Sequence, residues 1–137
     1  MEKEGIALVV HDIILNFPKR IEKPKVKFLP KKRFAKILDL MELKKHLDKT
    51  PCFTIQTHNG KHMLYVCEEI VQEFTKNFPE EKKKKFIEAI TIHELLHIWN
   101  HCHVHTADDA LFSEQLVEKE LRNFYPSHYA LLEECKR

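Results

Sequence analysis

Residues 86–100 read Phe86-Ile87-Glu88-Ala89-Ile90-Thr91-Ile92-His93-Glu94-Leu95-Leu96-His97-Ile98-Trp99-Asn100, and this stretch decides how the rest of the chain is interpreted. Phe86, Ala89, Ile90, Ile92, His93, Leu96, His97 and Trp99 recur at helical spacing with no Gly or Pro among them, which predicts a buried helix. Residues four apart lie one above the other on a helix, so the imidazoles of His93 and His97 can grip one metal ion from one face. Glu94 is turned by about 100° from His93. That places its carboxylate beside the ion rather than on it, within reach of a metal-bound water, where a general base belongs. Neutral imidazoles suit Zn2+, and a catalytic zinc keeps three protein ligands plus a water whose pKa it lowers to about 7. The bland alternative for the same letters is a core helix carrying two histidines that do no chemistry.

The group His93-Glu94-Leu95-Leu96-His97 on an apolar helix resembles the zincin metallopeptidases, whose active-site helix carries this motif. The likeness covers some fifteen residues. It implies a zinc site with His93 and His97 as ligands and Glu94 as the catalytic base.

Composition sets the frame. A chain of 137 residues with 43% hydrophobic content and no linker-like stretch predicts one domain over residues 1–137, long enough to bury a core around a central helix. The net charge is only +2 although 32% of the residues are charged, so no global field points to nucleic acid. Cys52, Cys67, Cys102 and Cys135 show no Cys-x-x-Cys spacing. The apolar run at residues 6–17 is too short to span a bilayer and is broken by His11 and Asp12. Reduced cysteines, a cytoplasmic location and no membrane association are the expectation.

Along the chain, Ile6, Val9, Val10, Ile13, Ile14 and Phe17 predict a helix over residues 3–16, ended by Pro18. In residues 19–36, nine of eighteen are Lys or Arg, interrupted by Pro24, Pro30 and a short strand at residues 26–29. Such a stretch is either a basic patch for nucleic acid or, the preferred reading, an edge strand kept from aggregating by its lysines. Phe34, Ile37, Leu38, Met41 and Leu43 predict a second helix over residues 32–47. Residues 52–57 and 62–66 flank Asn59-Gly60, a pair that tolerates the positive φ of a tight turn, and predict a β-hairpin. An edge strand of that sheet could take an extended peptide by strand addition, as zincins do. Residues 67–77 predict a short helix, and Pro79, Glu80 and Glu81 open the motif helix. Asn100 is expected to end it as a left-handed cap. The fold class is α+β: a small three-stranded sheet with a hairpin, packed by helices that include a central active-site helix and a following acid-bearing helix.

Three residues can supply the third ligand. On the helix expected over residues 107–124, behind a Thr106 cap resembling a capping box, Leu111, Glu114, Glu118, Leu121 and Tyr125 share one stripe. Carboxylates that point where apolar residues point need a partner, and a metal is one. Glu114 as ligand with Glu118 one turn on, orienting an imidazole, resembles the gluzincin arrangement, although gluzincins usually carry Asp at the later place. Glu118 itself is another candidate. His103 is the other, completing a spacing that resembles both the metzincin peptidases and the bacterial rRNA-maturation endoribonuclease family YbeY. Metzincins have a methionine turn downstream, whereas the methionines here are Met1, Met41 and Met63. The YbeY-like family has Gly where this chain has Glu94.

The helix and small sheet before the motif and the acid-bearing helix after it resemble the minigluzincins. That resemblance implies a zinc-dependent peptidase acting on a peptide or protein, with metal ligands His93, His97 and Glu114. Its oxyanion-stabilising group would be one of His101, His105, Tyr125 and His128. The alternatives are an RNA-processing protein using His93, His97 and His103 with residues 19–36 on phosphate, and a catalytically silent metal-binding fold. Pro126 stops the preceding helix. Residues 126–137 then form either a closing amphipathic helix or a tail that inhibits the site, as C-terminal segments do in the minigluzincins.

Overall fold

The computed structural model describes the backbone of residues 3–40, 51–57, 59–103 and 109–135, and the side chains of residues 5–40, 51–57, 59–100 and 115–135. In chain order the elements are α1 (Lys3–Leu15), β1 (Lys25–Phe28), α2 (Lys31–Leu40), β2 (Cys52–Gln56), β3 (His62–Val66), α3 (Glu68–Thr75), α4 (Glu80–His103), α5 (Asp109–Phe124) and α6 (Pro126–Cys135). This is an α+β fold in which a mixed three-stranded sheet packs against α4.

The motif helix α4 is the axis of the molecule. Lys83 N–H donates to Pro79 C=O at 2.9 Å to close its first turn, and Glu80 and Glu81 sit where the helix dipole favours negative charge. Further on it is apolar nearly all round, with Phe86, Ile87, Ala89, Ile90, Ile92, Leu95, Leu96 and Ile98 buried. A helix of that kind must be enclosed. It is covered by α1, β2, α5 and α6. The buried Thr91 hydroxyl is satisfied within the helix, donating to Ile87 C=O at 2.7 Å. The expected left-handed cap at Asn100 is corrected, because α4 runs through Asn100 to His103. Asn tolerates the left-handed conformation without requiring it, and since Ile98 and Asn100 are both buried, packing continues the helix past the residue expected to stop it.

Helix α1 places Ile6, Val10 and Ile14 on one stripe, in the same core as Ile87, Leu95 and Ile98 of α4. Helix α2 buries Phe34 and Leu38, and its start is pinned to α3 where Lys31 N–H donates to Glu69 Oε1 at 2.9 Å. Met41 and Leu43, expected on the same helix, lie outside the described residues.

The strand order is β1-β3-β2, with β3 central, antiparallel to β2 through the hairpin and parallel to β1. Gly60 takes φ 84° in the turn, the positive value read from Asn59-Gly60. In register, Thr54 stands opposite Leu64 and Cys52 opposite Val66, while Val26 and Phe28 pair with the same two β3 residues. These residues share one face of the sheet. Its apolar members join the core formed with α1 and α4. Phe53, Ile55 and Tyr65 form the other face and pack with α2 and α3. Lys25 and Lys27 are exposed on β1, the outer strand opposite β2, which fits a solvated edge.

Helix α5 is described from Asp109, so the Thr106 cap lies outside the described residues. Val117 and Leu121 pack on Ile92 and Leu96. The chain then breaks at Tyr125, and Pro126 opens α6, where a missing N–H and a preset φ suit the first helical position. Residues 126–135 therefore form a helix that packs on α4 and α5. Leu131 is buried in the core, and Lys82–Glu134 at 2.9 Å and Glu88–His128 at 3.2 Å tie α6 to the first half of α4. Among the described residues no helix is long and apolar enough to cross a membrane.

Candidate active site

The surroundings of α4 fix where its histidines point. Ile90 and Glu94 face β2: the Cys52 thiol donates to Ile90 C=O at 3.7 Å and the Thr54 hydroxyl donates to Glu94 Oε2 at 3.2 Å. Ile92 and Leu96 face α5. At about 100° per residue, His93 and His97 fall in the sector between these two directions. The imidazoles thus lie between the edge strand and α5, and both are half-buried. Their rings meet edge to face, with centroids 4.7 Å apart and planes at 81°.

Glu94 is held on the strand side and lies beside His93 on the other. One carboxylate oxygen accepts from Thr54, and the other, Oε1, lies 3.5 Å from His93 Nδ1. Its side chain is only 12% exposed, against 27% for His93. The acid is therefore turned toward the strand, beside the histidine pair. Burial, and then the Glu94 charge, push the Cys52 thiol up from its ordinary value. The protonated thiol is the donor to Ile90 C=O.

Strand β2 adds a second polar element. Cys67 N–H donates to Pro51 C=O and Thr57 N–H to Lys61 C=O, both across the β2–β3 ladder. Antiparallel ladders alternate, so the backbone groups of positions 53 and 55 also point at β3. Those of Cys52, Thr54 and Gln56 point away from it, along an edge that no other strand pairs with among the described residues. The edge beside Glu94 therefore carries outward N–H and C=O groups. Thr54 was not singled out in the sequence; its signal is the polar residue at the middle of the face shared by Cys52, Thr54 and Gln56.

The structure thus brings His93, His97 and Glu94 together. The side chains of Glu114, His103, His101 and His105 lie outside the described residues. The backbone position of Glu114 is three residues before Val117 and seven before Leu121, hence on the stripe of α5 that faces α4. His103 lies on the unbroken continuation of α4, six residues and about 9 Å along the axis from His97. The spacing that offered it as a ligand presupposed a turn near Asn100. Among the described residues, Glu118 included, no three His, Cys, Asp or Glu side chains form a group that could hold a metal ion. Of the candidate oxyanion groups, His128 is engaged with Glu88. The Tyr125 hydroxyl is held above its usual pKa by burial and by the Glu120 charge.

Asn100 follows His93 and His97 on the same stripe, is 1% exposed, and has no hydrogen-bond partner among the described residues for either Nδ2 or Oδ1. A buried amide left unsatisfied costs about 1–3 kcal/mol. The stripe that carries His93 and His97 is thus polar as far as Asn100, and imidazole nitrogens with carboxylate oxygens are donors that suit zinc. Asn100→Leu, of similar shape, is expected to stabilise the metal-free protein by about 1 kcal/mol, measured by urea unfolding. A loss of stability would show that the amide is bonded. Comparison with protein-family models, with curated proteins and with solved structures finds no match.

Proposed function

We propose that this chain is a zinc-dependent metallopeptidase, with His93, His97 and Glu114 holding the ion and Glu94 as the general base. The observation that carries the reading is the placement of Glu94. Its carboxylate is tied to the edge strand by Thr54 and lies beside two imidazoles one helical turn apart. A core helix with idle histidines has no need of such an arrangement.

Zinc, when bound, supplies a Lewis acid for the scissile carbonyl and makes water deprotonation accessible near neutral pH. The remaining work falls to the chain. Glu94 takes a proton from the attacking water and delivers it to the leaving amine, so the C–N bond is exchanged for a C–O bond and the proton count closes. The outward backbone groups of Cys52, Thr54 and Gln56 take an extended peptide as an added strand, holding it along the line of Glu94. Glu118, one turn beyond Glu114 on α5, is assigned to orient an active-site imidazole, as the spacing of the two acids suggests.

Protein purified without chelator should contain one zinc per chain and cleave an unstructured polypeptide. The double variant His93→Ala, His97→Ala should lose both. Absence of zinc, together with no uptake on reconstitution, rejects the reading. Binding of structured RNA that weakens steeply with salt would instead favour the RNA-processing alternative.

A further inference from the structure

We propose that Thr54 is the positioning residue for Glu94, holding the base by its hydroxyl while its own backbone sits on the edge that receives substrate. The proposal rests on the peptidase reading and deepens it.

Thr54 is well fixed. It stands opposite Leu64 in the ladder, between Cys52, which is buried and donates to α4, and the hairpin turn. Its branched Cβ leaves χ1 stiff, so the position of the hydroxyl follows the strand. Glutamate is the opposite case, with three side-chain torsions and a carboxylate that can swing toward water or toward the ion. A hydroxyl donated to one oxygen at 3.2 Å favours one orientation of the carboxylate. The two oxygens then differ: Oε2 is committed to Thr54, and Oε1, on the His93 side, is the atom that takes up and returns the proton. The backbone N–H and C=O of the same residue point out along the edge that no other strand pairs with among the described residues. A peptide bonded there is placed relative to Glu94 through a single residue, with no long flexible side chain between strand and base. Correct placement of a base is worth large factors in rate, and small errors are costly.

The test compares Thr54→Val, Thr54→Ser and the parent as full-length, zinc-loaded proteins acting on one unstructured peptide. Thr54→Val keeps the shape and the backbone edge but not the donor, so kcat is expected to fall about tenfold while KM and zinc content stay unchanged. Thr54→Ser restores the donor and should recover kcat to within about threefold. A second readout needs no metal. In metal-free protein labelled with 13C-glutamate, the Glu94 carboxylate resonance, assigned by its loss in Glu94→Gln, should move in Thr54→Val and stay near its parent position in Thr54→Ser. If Thr54→Val does not fold, Thr54→Ala, which introduces no new atoms, replaces it with the same expectations. An unmoved resonance overturns the proposal, as does kcat at the parent value, or a fall in kcat that Ser does not rescue. A parent that cleaves no peptide while the resonance shifts in Thr54→Val overturns the peptidase reading and leaves Thr54 as the residue that holds Glu94.

Discussion

Glu94→Gln is expected to keep zinc and fold while hydrolysis falls by about 10²–10⁴-fold, the range that a positioned general base contributes. Gln is the informative replacement because its carbonyl oxygen can still accept from the Thr54 hydroxyl, so the contact between α4 and β2 at 3.2 Å is retained. What disappears is the ability to take a proton. Glu94 stands beside the imidazole pair and is not assigned as a ligand, so metal content should not follow activity. The check is elemental analysis and a peptidase assay on the same preparation. If Glu94→Gln loses zinc in parallel with hydrolysis, the carboxylate is a ligand and the division of roles proposed for the site is wrong.

Truncation after Tyr125 is expected to abolish cooperative folding. The removed segment is α6, which contributes buried Leu131 to the main core, lays Leu132 and Tyr129 against Ile92 and Leu96, and carries the partners of Lys82 and Glu88. Deleting one buried Leu side chain costs about 2–5 kcal/mol, and an entire domain is stable by only about 5–15 kcal/mol. Leu131→Ala should therefore lower the unfolding midpoint clearly, and removal of the helix should eliminate the transition. Circular dichroism during urea titration reads both. The opposite outcome would be instructive: a truncated protein that stays folded and gains peptidase activity makes α6 an inhibitory segment.

What could be read in the sequence was local. The motif helix, the paired histidines and Glu94 follow from a 3.6-residue repeat and a spacing of four, and these need no knowledge of the rest of the chain. The hairpin likewise followed from alternation around Asn59-Gly60. What could not be read depends on residues far apart in the chain. Thr54 and Glu94 are forty positions apart, and no periodicity says which strand will lie over which face of α4. The same holds for the parallel pairing of β1 with β3, which makes β3 central and puts β2 at the edge of the sheet. Asn100 failed for another reason: its local preference for a cap was real but weaker than the burial around it. For the third ligand the sequence favours Glu114 over His103 and Glu118, but which side chain reaches the imidazoles is set by the seating of α5 on α4, and no spacing along the chain encodes that.

The seating of α1 on α4 has a consequence for biosynthesis. Ile6, Val10 and Ile14 are finished by the ribosome long before Ile87, Leu95 and Ile98, which follow about seventy or more residues later. At roughly 5–20 residues per second, that separation amounts to a wait of several seconds. During it the apolar stripe of α1 has none of its α4 partners, so nascent chains halted before residue 86 should be captured by chaperones that bind short apolar segments. Release should follow only once α4 has emerged.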